Sequence, residues 1–249
     1  MDSKMTVGVV GAGNMGSGIA QKLAQEGLEV VLQDMKKEFV DRGVANIRKT
    51  LEQGVERKIL TPEQVEETMN RIQGTDDPQG LANADLIIEA IFEDEKVKKE
   101  LFANLDSVCA PKTILATNTS SFYVSELAKA TNRPDRFVGM HYFYHPAKNR
   151  LLEIIPHAET SQETLHKALE VGRLHGKTTI VVKDDPGFCV NQFFSPFLTE
   201  AVHVLQEGIA DIPTIEEAAK RAFQIGMGHF ELMNVTGIPI AVPASTTMG

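Results

Sequence analysis

Six residues, Gly11-Ala12-Gly13-Asn14-Met15-Gly16, constrain this chain more than any other stretch. They follow an apolar run, Thr6-Val7-Gly8-Val9-Val10, that reads as a short buried strand, and they open a helical pattern reaching to about Gly27. In a strand–G-x-G-x-x-G–helix unit each glycine has its own task. Gly11 allows the tight turn, Gly13 lets a backbone approach a pyrophosphate, and Gly16 lets the helix pack closely on the strand. The helix start, with Asn14 and Met15, offers backbone N–H groups and the positive end of the helix dipole to phosphates. Asp34 closes the next strand-like run, Glu29–Gln33, 23 residues after Gly11. A carboxylate there accepts hydrogen bonds from ribose hydroxyls and repels a 2′-phosphate. The pattern points to NAD rather than NADP, with Lys36 and Lys37 close by. The alternatives are a glycine-rich turn without a ligand and an FAD site.

The remaining chain continues the alternation. Residues 36–54 read as an amphipathic helix, and Thr61-Pro62-Glu63-Gln64 as a helix start with proline in the first turn and a capping box. Asp85–Ala90, Thr113–Thr117, Arg136–Phe143, Leu151–Pro156 and Thr178–Lys183 read as strands, and 94–108, 124–130 and 161–175 as helices. Strands alternating with helices predict an α/β fold, a doubly wound and mostly parallel sheet. One antiparallel hairpin is expected between Arg136–Phe143 and Leu151–Pro156. The pattern changes at Asp184-Asp185-Pro186-Gly187. Beyond it strands stop, and 190–207 and 214–224 carry apolar residues at helical spacing. The expected division is a dinucleotide-binding domain over 1–183 and a smaller all-α domain over 184–249. The second domain is short for an independent unit. Its apolar helix around Phe193–Leu205 is expected to pack against another subunit, or the chain to be a truncated part of a longer protein.

Composition excludes several classes. The net charge is −9, most of it in residues 184–249, and no basic stripe is present, which argues against duplex nucleic acid as a partner. No apolar run approaches the roughly 18–20 residues that span a bilayer. Residues 1–5 do not resemble a signal peptide, and a cytoplasmic location is expected. The two cysteines, Cys109 and Cys189, form no metal or redox motif and are read as buried small hydrophobes. No metal site is expected, because no HExxH is present. The absence of a GxSxG elbow argues against a serine hydrolase.

Most of the seven histidines are expected at the surface, but His141 ends the apolar run Phe137–Met140. The midpoint of His141 and Glu153 nearly coincides with the centre of the expected hairpin loop, 144–149. The two therefore fall opposite each other, with Cβ atoms about 5 Å apart. A carboxylate facing an imidazole fixes its tautomer and stabilises its protonated form, as an acid–base pair requires. A sheet histidine that merely faces a glutamate is the alternative. Asn118-Thr119-Ser120-Ser121 follows a strand, where ligands gather in such sheets. Short polar residues there also suit a helix N-cap.

Taken together, these segments closely resemble the L-3-hydroxyacyl-CoA dehydrogenase family, which includes 3-hydroxybutyryl-CoA dehydrogenases. The resemblance runs from about residue 5 to about residue 240. Its markers are Gly11–Ala20, Leu86–Glu93, Asn118–Ser121, Arg136–His141, and Asp185-Pro186-Gly187-Phe188 with Asn191. It implies a Rossmann domain followed by a helical domain that commonly makes a homodimer, and reversible NAD-dependent oxidation of a 3-hydroxyacyl-CoA, as in fatty acid β-oxidation. By family pattern His141 is the catalytic base and Glu153 its partner. Ser120 bonds the substrate oxygen and Asn191 helps to position substrate. Glu93, Lys98, Asn118 and Ser120 match positions lining the nicotinamide side. Arg48, Lys49, Arg57 and Lys58 are candidate neighbours of the CoA phosphates, or simply a solvated helix face. The chain departs from the family where many members read His-Phe-Phe-Asn-Pro. Here the stretch is His141-Tyr142-Phe143-Tyr144-His145-Pro146, so Tyr144 or His145 stands where the family asparagine would be. It also ends without the glycine-rich, aromatic motif of complete members. A related dehydrogenase acting on a free hydroxy acid, and a non-catalytic NAD(H)-binding protein, are the competing readings.

Overall fold

A computed structural model of the chain describes residues 5–236. The described residues form two compact units that divide between Asp184 and Asp185.

The first unit is built on one eight-stranded sheet in the order β3-β2-β1-β4-β5-β6-β7-β8. Its strands are β1 (Thr6–Val10), β2 (Glu29–Gln33), β3 (Ile72–Thr75), β4 (Leu86–Glu89), β5 (Ile114–Thr117), β6 (Phe137–Tyr142), β7 (Leu151–Ile155) and β8 (Thr178–Val181). Every neighbouring pair is parallel except β6 and β7. The helices are α1 (Asn14–Gln25), α2 (Lys37–Glu56), α3 (Pro62–Asn70), α4 (Glu95–Val108), α5 (Val124–Ala128) and α6 (Gln162–Leu174). The central strands are continuous apolar runs because helices cover both faces of such a sheet. Val7, Val9, Leu86, Ile88, Ala116, Val138 and Met140 meet Ile19, Leu23, Ala168 and Val171 in one core.

The expected strands and helices form within a residue or two of their predicted limits. Thr61 closes the capping box with Gln64, and Pro62 opens α3. Strand β3 was not anticipated: Ile72-Gln73-Gly74-Thr75 has a single large apolar residue, and as an edge strand it needs only backbone pairing with β2.

The second unit contains α7 (Val190–Gln206), α8 (Ile212–Phe223) and α9 (His229–Thr236). Phe197 packs edge-on to Phe223, with centroids 5.3 Å apart, and against His229 at 4.0 Å. Helix α9 carries little apolar periodicity, so the sequence reading omitted it. Its first turn is received by Glu216, which accepts from the Phe230 N–H at 2.8 Å. Phe193, Ile209 and Phe223 are exposed.

Two expectations fail on burial. Cys109 is buried, which pushes its thiol up to about 11, but Cys189 is exposed at the N-cap of α7, before that helix's apolar stripe begins. Four of the seven histidines, His141, His157, His175 and His229, are buried rather than superficial. In three of them a ring nitrogen meets a polar partner that offsets its loss of water. His157 Nε2 meets the Pro134 carbonyl, and His141 meets a carboxylate. His175 Nδ1 donates to the Val171 carbonyl, and its Nε2 accepts from the Tyr142 hydroxyl at 3.1 Å.

Burial lowers His175 from its ordinary value to about 4. The fold disfavours the charged ring, so the unfolded chain takes up this proton first. Stability from His175 is intact above about pH 6.5 and is lost as pH falls toward 4, up to about 3 kcal/mol. In urea titrations between pH 7 and 4, His175→Asn is expected to show a pH slope shallower than wild type by about one proton. Identical slopes would contradict it.

Candidate active site

Strands β1, β2, β4, β5 and β6 run parallel, so their carboxyl ends lie along one edge of the sheet. In such sheets that edge is where ligands bind. The glycine loop leaves β1 there. Gly11 has φ +103°, and a Cβ at this position would lie 2.6 Å from the Ala90 carbonyl oxygen. A Cβ on Gly16 would lie 1.8 Å from the Gly11 oxygen, so no side chain fits between turn and helix. At Gly13 the space where a Cβ would point is open. Gly13 is also the N-cap of α1, where no side chain caps the helix. Backbone N–H groups at the start of α1, including those of Asn14 and Met15, therefore face an open approach, as a pyrophosphate requires. Asp34 Oδ2 accepts from the Ala12 N–H at 2.7 Å and Oδ1 from Met35 at 2.7 Å. Its carboxylate is thereby fixed against the glycine loop. This donor set fits NAD.

The next three strand ends are tied together. Glu89, wholly buried at the end of β4, accepts from Lys98 Nζ at 2.5 Å, from the Thr117 hydroxyl at 2.7 Å and from the Ile91 N–H at 2.9 Å. The Lys98 ammonium also meets Glu93 at 3.1 Å. Glu93 in turn accepts from the Thr119 hydroxyl and from the backbone N–H groups of Ser120 and Ser121, at 3.0 and 3.1 Å. Lys98 thus supports Glu93, and Glu93 shapes the loop that presents Ser120. Asn118 Oδ1 accepts from the Tyr142 N–H at 2.8 Å, stitching the end of β5 to that of β6. Glu89 was missed from the sequence. Its signal was a charged residue closing the apolar run Leu86-Ile87-Ile88, which has to find a cation when buried.

His141 and Glu153 are direct register partners on the antiparallel pair β6–β7. His141 Nδ1 lies 2.7 Å from Glu153 Oε2, with Glu153 wholly buried and His141 nearly so. With Nδ1–H donating to the carboxylate, Nε2 is the nitrogen that can take a proton. Phe143 packs against the imidazole, centroids 4.6 Å apart. Asn191 lies in the first turn of α7, in the second unit.

After β6 the chain turns through 143–150. Tyr144 and His145 line a groove of about 260 Å³ with Asn14, Ser17 and Gln21 of α1 and Lys49 of α2. Burial, with Lys148 and Lys177 nearby, holds His145 below its ordinary range, and its Nδ1 accepts from the Ala147 N–H. Of the four basic residues considered for CoA, Lys49 lines this groove, whereas Arg48 is engaged by Glu66 at 2.5 Å. Among the described residues no three His, Cys, Asp or Glu side chains are placed to hold a metal ion. Among the same residues no helix is long and apolar enough to cross a membrane.

The profile of the 3-hydroxyacyl-CoA dehydrogenase NAD binding domain matches residues 6–185, and that of the same family's C-terminal domain matches 187–249. The chain belongs to the 3-hydroxyacyl-CoA dehydrogenase family. It is 40% identical over 234 residues to a probable 3-hydroxybutyryl-CoA dehydrogenase of Deinococcus radiodurans, covering 94% of this chain and 84% of that protein. A probable 3-hydroxybutyryl-CoA dehydrogenase of Bacillus subtilis is 37% identical, over 92% of this chain and 80% of its own length. Among solved structures, the (S)-3-hydroxybutyryl-CoA dehydrogenase PaaH1 of Ralstonia eutropha superposes with a TM-score of 0.92 at 34% identity, covering 99% of this chain and 87% of that one. Members of the family oxidise 3-hydroxyacyl-CoA with NAD, and this chain is an NAD-dependent dehydrogenase of that kind.

Lys98 neutralises one of two adjacent carboxylates, so its removal strands Glu89 in the interior. Lys98→Met is expected to destabilise the protein by about 3–5 kcal/mol, read from urea unfolding midpoints. A change below about 1 kcal/mol would show that the carboxylates find water instead.

Proposed function

We propose that this chain interconverts an L-3-hydroxyacyl-CoA and the 3-ketoacyl-CoA, with His141 as the general base. The observation that carries the assignment is the buried His141–Glu153 pair at the carboxyl edge of a sheet that also carries the glycine loop. Bound NAD supplies the hydride acceptor, held by Gly11, Gly13, Asn14, Met15 and Gly16 and by Asp34. During oxidation, His141 Nε2 takes the proton of the 3-hydroxyl group. The imidazolium that forms faces Glu153, whose negative charge stabilises it without moving the ring. In the reverse direction Nε2 returns the proton to the carbonyl oxygen. The Ser120 hydroxyl donates to that oxygen, and the Glu93–Lys98 support holds Ser120 in place. Such positioned proton transfer contributes about 10²–10⁴ in rate. Asn118 fixes the end of β6, and Asn191 is assigned to substrate positioning.

The groove beside α1 and α2, polar and carrying Lys49, suits the amide and phosphate groups of CoA. We assign residues 1–183 to cofactor binding and 184–249 to substrate positioning and dimerisation. A second copy of α7 is the proposed cover for the exposed face that carries Phe193. The cytoplasm, where NAD and acyl-CoA are both dissolved, is the proposed compartment, and fatty acid β-oxidation the proposed setting.

His141→Gln and Glu153→Gln are each expected to bind NADH within about twofold of wild type. Each should lose NADH oxidation with acetoacetyl-CoA by at least about a hundredfold, in a spectrophotometric assay. Near-wild-type turnover in both variants would remove the acid–base assignment. Turnover on free 3-hydroxy acids but on no acyl-CoA would remove the substrate class.

A further inference from the structure

Lys177 carries a cation that the acid–base chemistry does not use. It follows Gly176, the positive-φ residue after α6, and directly precedes β8. It is 6% exposed. Its ammonium donates to the carbonyl oxygens of Pro146 and, at 2.5 Å, Asn149. It also lies 5.6 Å from the centroid of the Tyr142 ring. Burial, with Lys22 nearby, pushes this ammonium down to about 8.

Both carbonyls belong to the segment that leaves β6 after His141. The same segment turns on itself, with the N–H groups of Lys148 and Asn149 both donating to the His145 carbonyl. At its far end Thr178 N–H donates to the Arg150 carbonyl at 2.7 Å, next to the start of β7. Pro146 lies over α1 so closely that a Cβ on Gly18 would come within 3.0 Å of its ring. Tyr144 and His145, just before Pro146, form the wall of the groove between α1 and α2. Without the ammonium, the Pro146 and Asn149 carbonyls of the segment would lose their donor, and the Pro146 carbonyl is buried, where lacking a partner is costly.

We propose that Lys177 is a positioning residue for acyl-CoA binding: its buried ammonium, bridging the Pro146 and Asn149 carbonyls, holds residues 144–149 in the shape that closes the groove. The proposal rests on the reading that this groove receives the acyl-CoA. Lys177 touches neither member of the His141–Glu153 pair, whose register is held by β6–β7 pairing. Its loss therefore acts on substrate affinity and not on proton transfer.

Lys177→Met keeps the length of the side chain and removes the charge and the donors. The expected result is a rise of about fivefold or more in KM for acetoacetyl-CoA, with kcat within about threefold of wild type and NADH affinity within about twofold. In the ligand-free protein, hydrogen exchange of the 144–149 amides is expected to quicken by about tenfold or more, while that of β1 and β4 is unchanged. Lys177→Gln, which keeps one donor, should give smaller changes in the same direction, and is the variant to read if Lys177→Met does not fold. An unchanged KM, or unchanged exchange across 144–149, overturns the proposal. So does a loss of kcat and NADH affinity in step with KM. If wild-type protein turns over no acyl-CoA at all, the assignment of the groove fails. The exchange comparison still decides whether Lys177 holds the segment.

Discussion

The buried His141–Glu153 pair depends on one inter-strand register. Among the described residues β6 and β7 are the only antiparallel neighbours, and their pairing sets His141 directly opposite Glu153. Here the imidazole and the carboxylate stand on the same face at a single rung, and β8 on the far side of β7 helps to shut Glu153 away from water. A low-dielectric setting strengthens the attraction between the two groups as the ring becomes charged. It also limits the rotamers the ring can visit. His141 is held by sheet geometry more than by its loop.

The remaining strand ends are joined to this pair by polar side chains. Asn118 links β5 to β6, Thr117 links β5 to Glu89, and Glu89 passes through Lys98 and Glu93 to the serine loop. Glu89, Lys98 and Thr117 are buried and would be unfavourable alone, while Asn118 and Glu93 reach toward the surface. As a network they satisfy one another, which makes the carboxyl edge of the sheet stiff. The glycine loop adds a second form of rigidity. The turn at Gly11 and the contact at Gly16 leave no room for adjustment, so the start of α1 is presented in one orientation.

Local chemistry explains which of these features could be read in advance. Hairpin register follows from counting residues about a loop, so the facing of His141 and Glu153 was legible before any coordinates. So were the glycine turn, the Thr61 capping box and the apolar central strands, because each is written in residues close in the chain. The edge strand β3 was not legible, since its formation depends on backbone groups offered by β2. Nor were the contacts of Lys98 and Lys177. A lysine in a helix or before a strand reads as solvated, and only the tertiary fold encloses the carboxylates or carbonyls that receive it. Of the buried histidines, His157, His175 and His229 were misread for the same reason. Their partners, such as the Pro134 carbonyl for His157, are distant in the sequence.

The segment between β6 and β7 behaves as a module. It differs from the common family form by the stretch Tyr144-His145, yet it sits between two strands whose alignment is enforced by their own ladder and by β8. Its internal fold closes on the His145 carbonyl, while the rung of His141 and Glu153 is held by the strand ladder, so a substitution within the turn leaves that rung in place. Selection could therefore rebuild this wall of the groove without disturbing the His141–Glu153 pair. On the roles proposed above, substrate preference and acid–base chemistry rest on separately held parts of the sheet edge.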